Sequence, residues 1–185
     1  MRREKQLPPR PTISLRRGKF LPPPRYRVGM TIFAVVAPVA SLAVGDVFGA
    51  EAWPPHLTLL FIDASTDLAS FTEAIRGVAT DQARFDIRGV SLELFGPQRD
   101  IRVVELEHSA VIIRLHNELL DATAHFAHPV DPEFNGAGYR PHVSVQPDDD
   151  FGVGDVHTVD RLGVVDCSTP RKTVTSILPL AGEAG

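Results

Sequence analysis

The chain is poor in cysteine, with Cys167 alone among 185 residues. An intrachain disulfide is therefore excluded, and nothing marks an oxidising compartment; the cytoplasm is the expected location. No apolar run reaches the roughly 18 residues of a membrane span. Residues 31–44, TIFAVVAPVASLAV, come nearest, with basic residues before them and AEA after them at Ala50–Ala52. They share that plan with a secretory signal, but the preceding leader is long and proline-rich, and Pro38 and Asp46 break up the apolar stretch. The segment is read as a buried strand. No phosphate-binding P-loop, dinucleotide-binding glycine pattern or Ser-His-Asp signature is found.

Positive charge is scarce where a folded body is expected. The formal net charge is −4, yet residues 1–29 carry nine Lys/Arg and one acid, and residues 30–185 carry 10 Lys/Arg and 22 acids. A broad basic face for nucleic acid is thereby excluded from the body, and any phosphate must be met by a compact local site. Residues 1–29, with LPPRP and FLPPPRYR, read as a disordered basic arm. A grip on RNA phosphates is its functional alternative, and Met30 is where order, or even the true start, is expected. Residues 30–185 read as one domain.

What the body does contain is a rhythm of strands and helices. Strands are predicted at Met30–Ala37, His56–Ile62, Arg84–Leu94 with a break at Gly89, Ile101–Leu106, His142–Gln146, Arg161–Asp166 and Thr173–Leu180. Helices are predicted at Asp67–Thr80, capped by Ser65 or Thr66, and at Ser109–Phe126. The class is α+β.

Two stretches share one grammar: WPPHLTLLF (Trp53–Phe61) and YRPHVSVQ (Tyr139–Gln146). Each runs aromatic, any residue, proline, histidine, aliphatic, hydroxyl, aliphatic. Side chains alternate along a strand, so His56 and Thr58 share one face, as do His142 and Ser144. Leu57, Leu59, Val143 and Val145 then point to a core. If the two strands meet, a cleft holds two imidazoles and two hydroxyls. A neutral imidazole takes a proton from water or a ribose hydroxyl, and a protonated one gives a proton to a leaving alkoxide. The hydroxyls hold the non-bridging phosphate oxygens. The proline before each histidine lacks an N–H, which suits the first position of a strand. Two similar lobes, each giving one motif strand to a shared cleft, are inferred from the similar order of elements around the motifs.

The pair HLTL (His56–Leu59) and HVSV (His142–Val145) resembles the two signature motifs of the 2H phosphoesterase superfamily, which includes 2′-5′ RNA ligase-like proteins and RNA 2′,3′-cyclic phosphodiesterases. The resemblance covers about residues 30–180. It implies a bilobal α+β fold with two pseudo-symmetric lobes of antiparallel sheet, outer helices and a central cleft. It also implies metal-independent hydrolysis of a 2′,3′-cyclic, 2′-5′-linked or cyclic-oligonucleotide phosphodiester, with no cofactor. His56 would be the proton donor and His142 the acceptor, with Thr58 and Ser144 on the phosphate. Ser144 stands where threonine is commoner. LLFID and QPDDD follow the motifs where RNA-processing members often carry a basic residue, which favours a small nucleotide or short RNA substrate. Phage members that degrade the cyclic-nucleotide signals of antiviral defence make such a signal a candidate. The alternatives are a non-catalytic nucleotide- or RNA-binding protein and a 2′-5′ RNA ligase.

Other residues carry weaker signals. Trp53 and Tyr139, each three places before its histidine, are candidates to stack on a base, and Arg140 is a candidate phosphate contact. Arg99, Arg102 and the run Asp148–Asp150 read as solvated, and His157 as a loop residue. His108, His116, His125 and His128 do not form a metal pattern, although His125 and His128 have helical spacing; no metal site is expected. No membrane association is expected, and the protein is read as a monomer.

Overall fold

A computed structural model describes residues 31–49, 52–96 and 98–182. The arm at 1–29 lies outside them. The segment that shared the plan of a signal supplies β1 (Thr31–Pro38), buried from Ile32 to Ala37 in the middle of the sheet. Its alternate residues serve two apolar clusters. Phe33, Val35 and Ala37 face the main core under the helices, whereas Ile32, Ala34 and Val36 face a smaller one on the opposite side.

The remaining strands are β2 (Val47–Phe48), β3 (His56–Ala64), β4 (Phe85–Phe95), β5 (Ile101–Leu106), β6 (Ala127–Pro129), β7 (His142–Ser144), β8 (Val156–Val159), β9 (Arg161–Asp166) and β10 (Lys172–Pro179). The sheet order is β2-β10-β9-β1-β3-β7-β5-β4-β8, with β6 paired to β3 off this path, and these pairings are antiparallel. The two motif strands, β3 and β7, are neighbours at its centre. On one side lies the lobe β3-β1-β9-β10, and on the other the lobe β7-β5-β4-β8. The fold is the bilobal α+β architecture with a curled antiparallel sheet and two helices.

The lobes are not successive halves of the chain. The C-terminal β9 and β10 return to complete the lobe that β1 and β3 began. Helix α1 (Leu68–Asp81) packs on β9 and β10, and α2 (Ala110–Thr123) on β3 and α1. Apolar spacing places Phe71, Ile75 and Ala79 of α1 and Ile112, Leu115 and Leu119 of α2 in the core. Phe71 stacks on Phe33 with centroids 4.5 Å apart. Burial of each such ring is worth roughly 1.5–3 kcal/mol, which ties helix to sheet.

Several local expectations are corrected. The cap of α1 is Asp67, not Ser65 or Thr66, because its Oδ1 accepts the Ser70 N–H at 2.8 Å. His157 lies in β8, opposite Ile87, rather than in a loop. β7 ends at Ser144, two residues before the expected Gln146. The break expected at Gly89 is a register shift between Gly89 and Ser91 within one continuous strand.

Candidate active site

The motif strands pair directly, with His56 opposite Ser144 and Leu57 opposite Val143. Residues opposite one another in a ladder share a face, so His56, Thr58, His142 and Ser144 all face the concave side. His56 and His142 stand diagonally across the pair, where Cβ atoms lie on the order of 7–8 Å apart. That spacing leaves room for one phosphorus centre between the two imidazoles. Leu57, Leu59, Val143 and Val145 are buried in the main core.

A bulge follows the first motif. Val35 of β1 pairs with Leu60 and Val36 with Thr58, so Leu59 is the extra residue. It allows Leu59 and Leu60 both to enter the core while Thr58 stays on the concave face. The bulge also coincides with the point where the β3–β7 ladder ends. The buried His116 and the partly buried Tyr139 take the carbonyls there. The Tyr139 hydroxyl donates to the Thr58 oxygen at 2.7 Å, and His116 Nδ1 donates to the Leu59 oxygen at 2.7 Å. The two rings stack with centroids 3.9 Å apart and planes 7° apart. His116 Nε2 accepts the Gly136 N–H at 2.9 Å, which fixes the imidazole as the neutral tautomer protonated at Nδ1. Burial holds the His116 pKa below its ordinary value, consistent with that state.

Tyr139 is thus turned into the lobe interior, where burial drives its hydroxyl far above the usual phenol range. It does not face the cleft as Trp53 does. The place expected for it beside the second histidine is taken by Phe95, from β4. Trp53 lies against His56 with centroids 4.4 Å apart, and Phe95 against His142 at 4.8 Å. Each imidazole is anchored alike: His56 Nδ1 donates to the Pro54 oxygen and His142 Nδ1 to the Arg140 oxygen, both at 2.7 Å. In each case the carbonyl two residues back fixes the tautomer and leaves Nε2 as the nitrogen available for proton transfer.

The two surroundings differ. His56 is 8% exposed, and its pKa falls to about 4, first through burial and then through its proximity to His142, against the raising effect of the Pro54 carbonyl. The wall beside it is apolar, a shallow niche lined by Val36, Leu42, Phe48, Trp53, Pro54 and Val174. His142 also has a lowered pKa, mainly through burial; the Arg140 carbonyl raises it, the Arg140 cation lowers it and Glu105 raises it. Glu105 stands opposite His142 in the β5–β7 ladder. Its Oε1 pairs with the Arg140 guanidinium, and its Oε2 accepts the Ser91 hydroxyl at 3.0 Å. The Arg140 guanidinium lies 4.7 Å from the Phe95 ring centre. Sequence reasoning missed Phe95, Glu105 and Ser91 because the signal that joins them to His142 is cross-strand register.

The structure brings His56, Thr58, His142, Ser144, Trp53 and Arg140 to one cleft and leaves Tyr139 behind it. Among the described residues, no cluster of three or more His, Cys, Asp or Glu side chains could hold a metal ion. No helix among them is long and apolar enough to cross a membrane.

Comparison with known proteins agrees with this fold. The family model of the 2′-5′ RNA ligase superfamily matches residues 35–151. A search of the curated proteins gave no match. Among solved structures, the chain is similar to TT0787 of Thermus thermophilus (TM-score 0.56, 16% identity, 83% of this chain and 99% of that one). It is also similar to a phosphoesterase (TM-score 0.52, 17% identity, 82% and 98%). A third neighbour is E. coli LigT complexed with 3′-AMP (TM-score 0.52, 14% identity, 82% and 99%).

Proposed function

We propose that this chain, which belongs to the 2′-5′ RNA ligase superfamily, is a two-histidine phosphodiesterase acting on a 2′,3′-cyclic, 2′-5′-linked or cyclic-oligonucleotide phosphodiester. The observation that carries the reading is the paired register of β3 and β7, with two identically anchored imidazoles on one face. A nucleotide ligand in the LigT structure is consistent with it.

In the proposed reaction the phosphorus lies between the two Nε2 atoms. One neutral imidazole takes a proton from water as the water oxygen bonds to phosphorus. The P–O bond to the leaving ribose oxygen breaks, and the other imidazole, protonated, gives that oxygen its proton. The hydroxyls of Thr58 and Ser144 donate to the non-bridging oxygens as charge builds on them. Burial depresses both histidines, so before substrate arrives neither imidazole is charged near neutrality. The arriving phosphodiester anion raises the proton affinity of the imidazoles beside it and so draws in the proton that one must carry. The scheme uses no metal ion, and the protein is read as a cytoplasmic monomer.

The test is a screen of 2′,3′-cyclic nucleotides, 2′-5′ dinucleotides and cyclic dinucleotides with EDTA present. Turnover is expected on one class, falling by roughly 10²–10⁴-fold in His56→Ala and in His142→Ala. The double variant should lose less than the product of the two effects, because the groups act as a unit. Activity abolished by EDTA and restored by a divalent ion would overturn the scheme.

A further inference from the structure

The two sides of the cleft are lined differently, one by apolar and the other by polar side chains. On the β1 side, the segment between β1 and β3 folds over the concave face. Leu42, Phe48 and Trp53 pack there against Ile32, Ala34, Val36, Val165 and Val174. The niche left beside His56 has room for little more than about one water molecule, so it cannot take a nucleobase. On the β7 side the concave face is formed by Ser91, Glu93 and Phe95 of β4 and by Val103 and Glu105 of β5, by register with Ser144 and His142. Val103 is fully buried there, and Ser91, Glu93, Phe95 and Glu105 are partly exposed. A nucleoside attached to a phosphate at the histidines finds its aromatic and polar partners on this second side, at Phe95 and Arg140.

The one cation on that face beside the histidines is already paired. Arg140 is the cation beside His142, and Glu105 holds it. Glu105 is itself fixed by Ser91 and by its place in the ladder, with its side chain only 24% exposed. At the edge of β4, Arg88 is paired with Glu107 at 3.8 Å. Glu93, on the concave face, is in no ion pair among the described residues. The uncharged imidazoles gain one proton when one anion arrives. A second anion on the substrate finds Arg140 spoken for and two carboxylates nearby.

We infer that Glu105 is a specificity-determining residue: by holding Arg140 it restricts the cleft to a phosphodiester carrying a single negative charge, such as a nucleoside 2′,3′-cyclic phosphate without a 5′-phosphate. The inference rests on the phosphodiesterase reading above and names the substrate within it. Phe95 and Arg140 form the wall against which the nucleoside lies. Glu105 itself acts through Arg140.

The experiment measures binding rather than turnover. Adenosine 2′,3′-cyclic phosphate and the same compound with a 5′-phosphate are titrated into the full chain, with His56→Ala added to every protein compared so that hydrolysis is suppressed, affinity being read by calorimetry and the His142 imidazole followed by NMR. The wild type should bind the 5′-phosphorylated compound more weakly, by roughly tenfold, the scale of one partly screened charge contact. Glu105→Gln keeps an oxygen for Ser91 and removes the charge, and should erase or reverse that preference. Arg140→Gln leaves Glu105 unopposed and should widen it, which keeps the inference testable if Glu105→Gln fails to fold. An unchanged preference in either folded variant, or a wild type that favours the 5′-phosphate, overturns the inference and leaves the phosphodiesterase reading standing. Failure of both compounds to perturb His142 would instead count against that reading itself.

Discussion

Acid should destabilise this protein through His56 in a way that a single substitution can isolate. The imidazole has a pKa of about 4 in the folded chain, against about 6.5 when unfolded. The unfolded chain therefore binds the proton more readily, and stability falls as pH drops between these values. The contribution is complete above about 6.5 and is lost progressively towards 4. Each unit of pKa difference is worth about 1.36 kcal/mol, so the loss from His56 reaches roughly 3 kcal/mol near pH 4 and about 2 kcal/mol at pH 5. For a small domain, about 2 kcal/mol is a large share of the whole stability. Urea unfolding of the wild type and of His56→Asn, from about pH 7.5 to 4.5, measures it. Asparagine keeps a side-chain donor for the Pro54 carbonyl but does not titrate in this range. The two curves should differ by a stability gap that changes by about 2 kcal/mol between pH 7 and 5, with the wild type losing more. Parallel curves would show that His56 titrates normally and that burial does not keep it neutral. Inorganic phosphate should reduce the acid loss of the wild type by pulling the imidazole pKa upward.

Two further outcomes follow from the packing behind the cleft. Tyr139→Phe leaves the Thr58 carbonyl without its donor and should cost about 1–3 kcal/mol in urea unfolding, the range for a buried polar group left unsatisfied; an unchanged midpoint would mean that the bond contributes nothing. Gly89→Ala places a Cβ against the Gly152 carbonyl oxygen and 2.7 Å from Val104 Cγ1, so backbone must move, and a loss of more than about 2 kcal/mol in thermal or urea unfolding is expected. A variant as stable as the wild type would show that the loop at Gly152 yields freely.

What the sequence made legible was local. The alternation of HLTL and HVSV assigned His56, Thr58, His142 and Ser144 to one face without any knowledge of partners, because a strand has only two faces. The apolar spacings of α1 and α2 located their buried sides for the same reason. What depended on partners was not legible. Trp53 and Tyr139 occupy equivalent places before their histidines, yet one faces the cleft and the other stacks on His116. The difference arises because the bulge at Leu59 leaves carbonyls that the Tyr139 hydroxyl and His116 take up. His116 looked like one of several scattered histidines; its role depends on Leu59 and Gly136, 57 and 20 residues away. The interlacing of lobes was hidden too, since β9 and β10 carry the pattern of any buried strand and nothing local says that they return to β1.

The two histidines show how a local device and a global environment divide the work. Locally they are copies: a proline and an Nδ1 bond to the carbonyl two residues back. That device sets geometry and tautomer, and it sets them equally. It cannot decide which imidazole gives a proton and which takes one, because two identical bases between them have no preferred direction. The direction must come from unequal surroundings, and those are supplied by residues far away in sequence. Around His56 they are apolar, so burial weighs most heavily on its charged form. Around His142 they are Arg140 and Glu105, whose effects oppose one another. Neutralising Glu105 would remove the charge that raises His142 and leave the Arg140 cation that lowers it. It follows that the acid limb of turnover should move when Glu105 is neutralised, whereas the His56 contribution to unfolding should not.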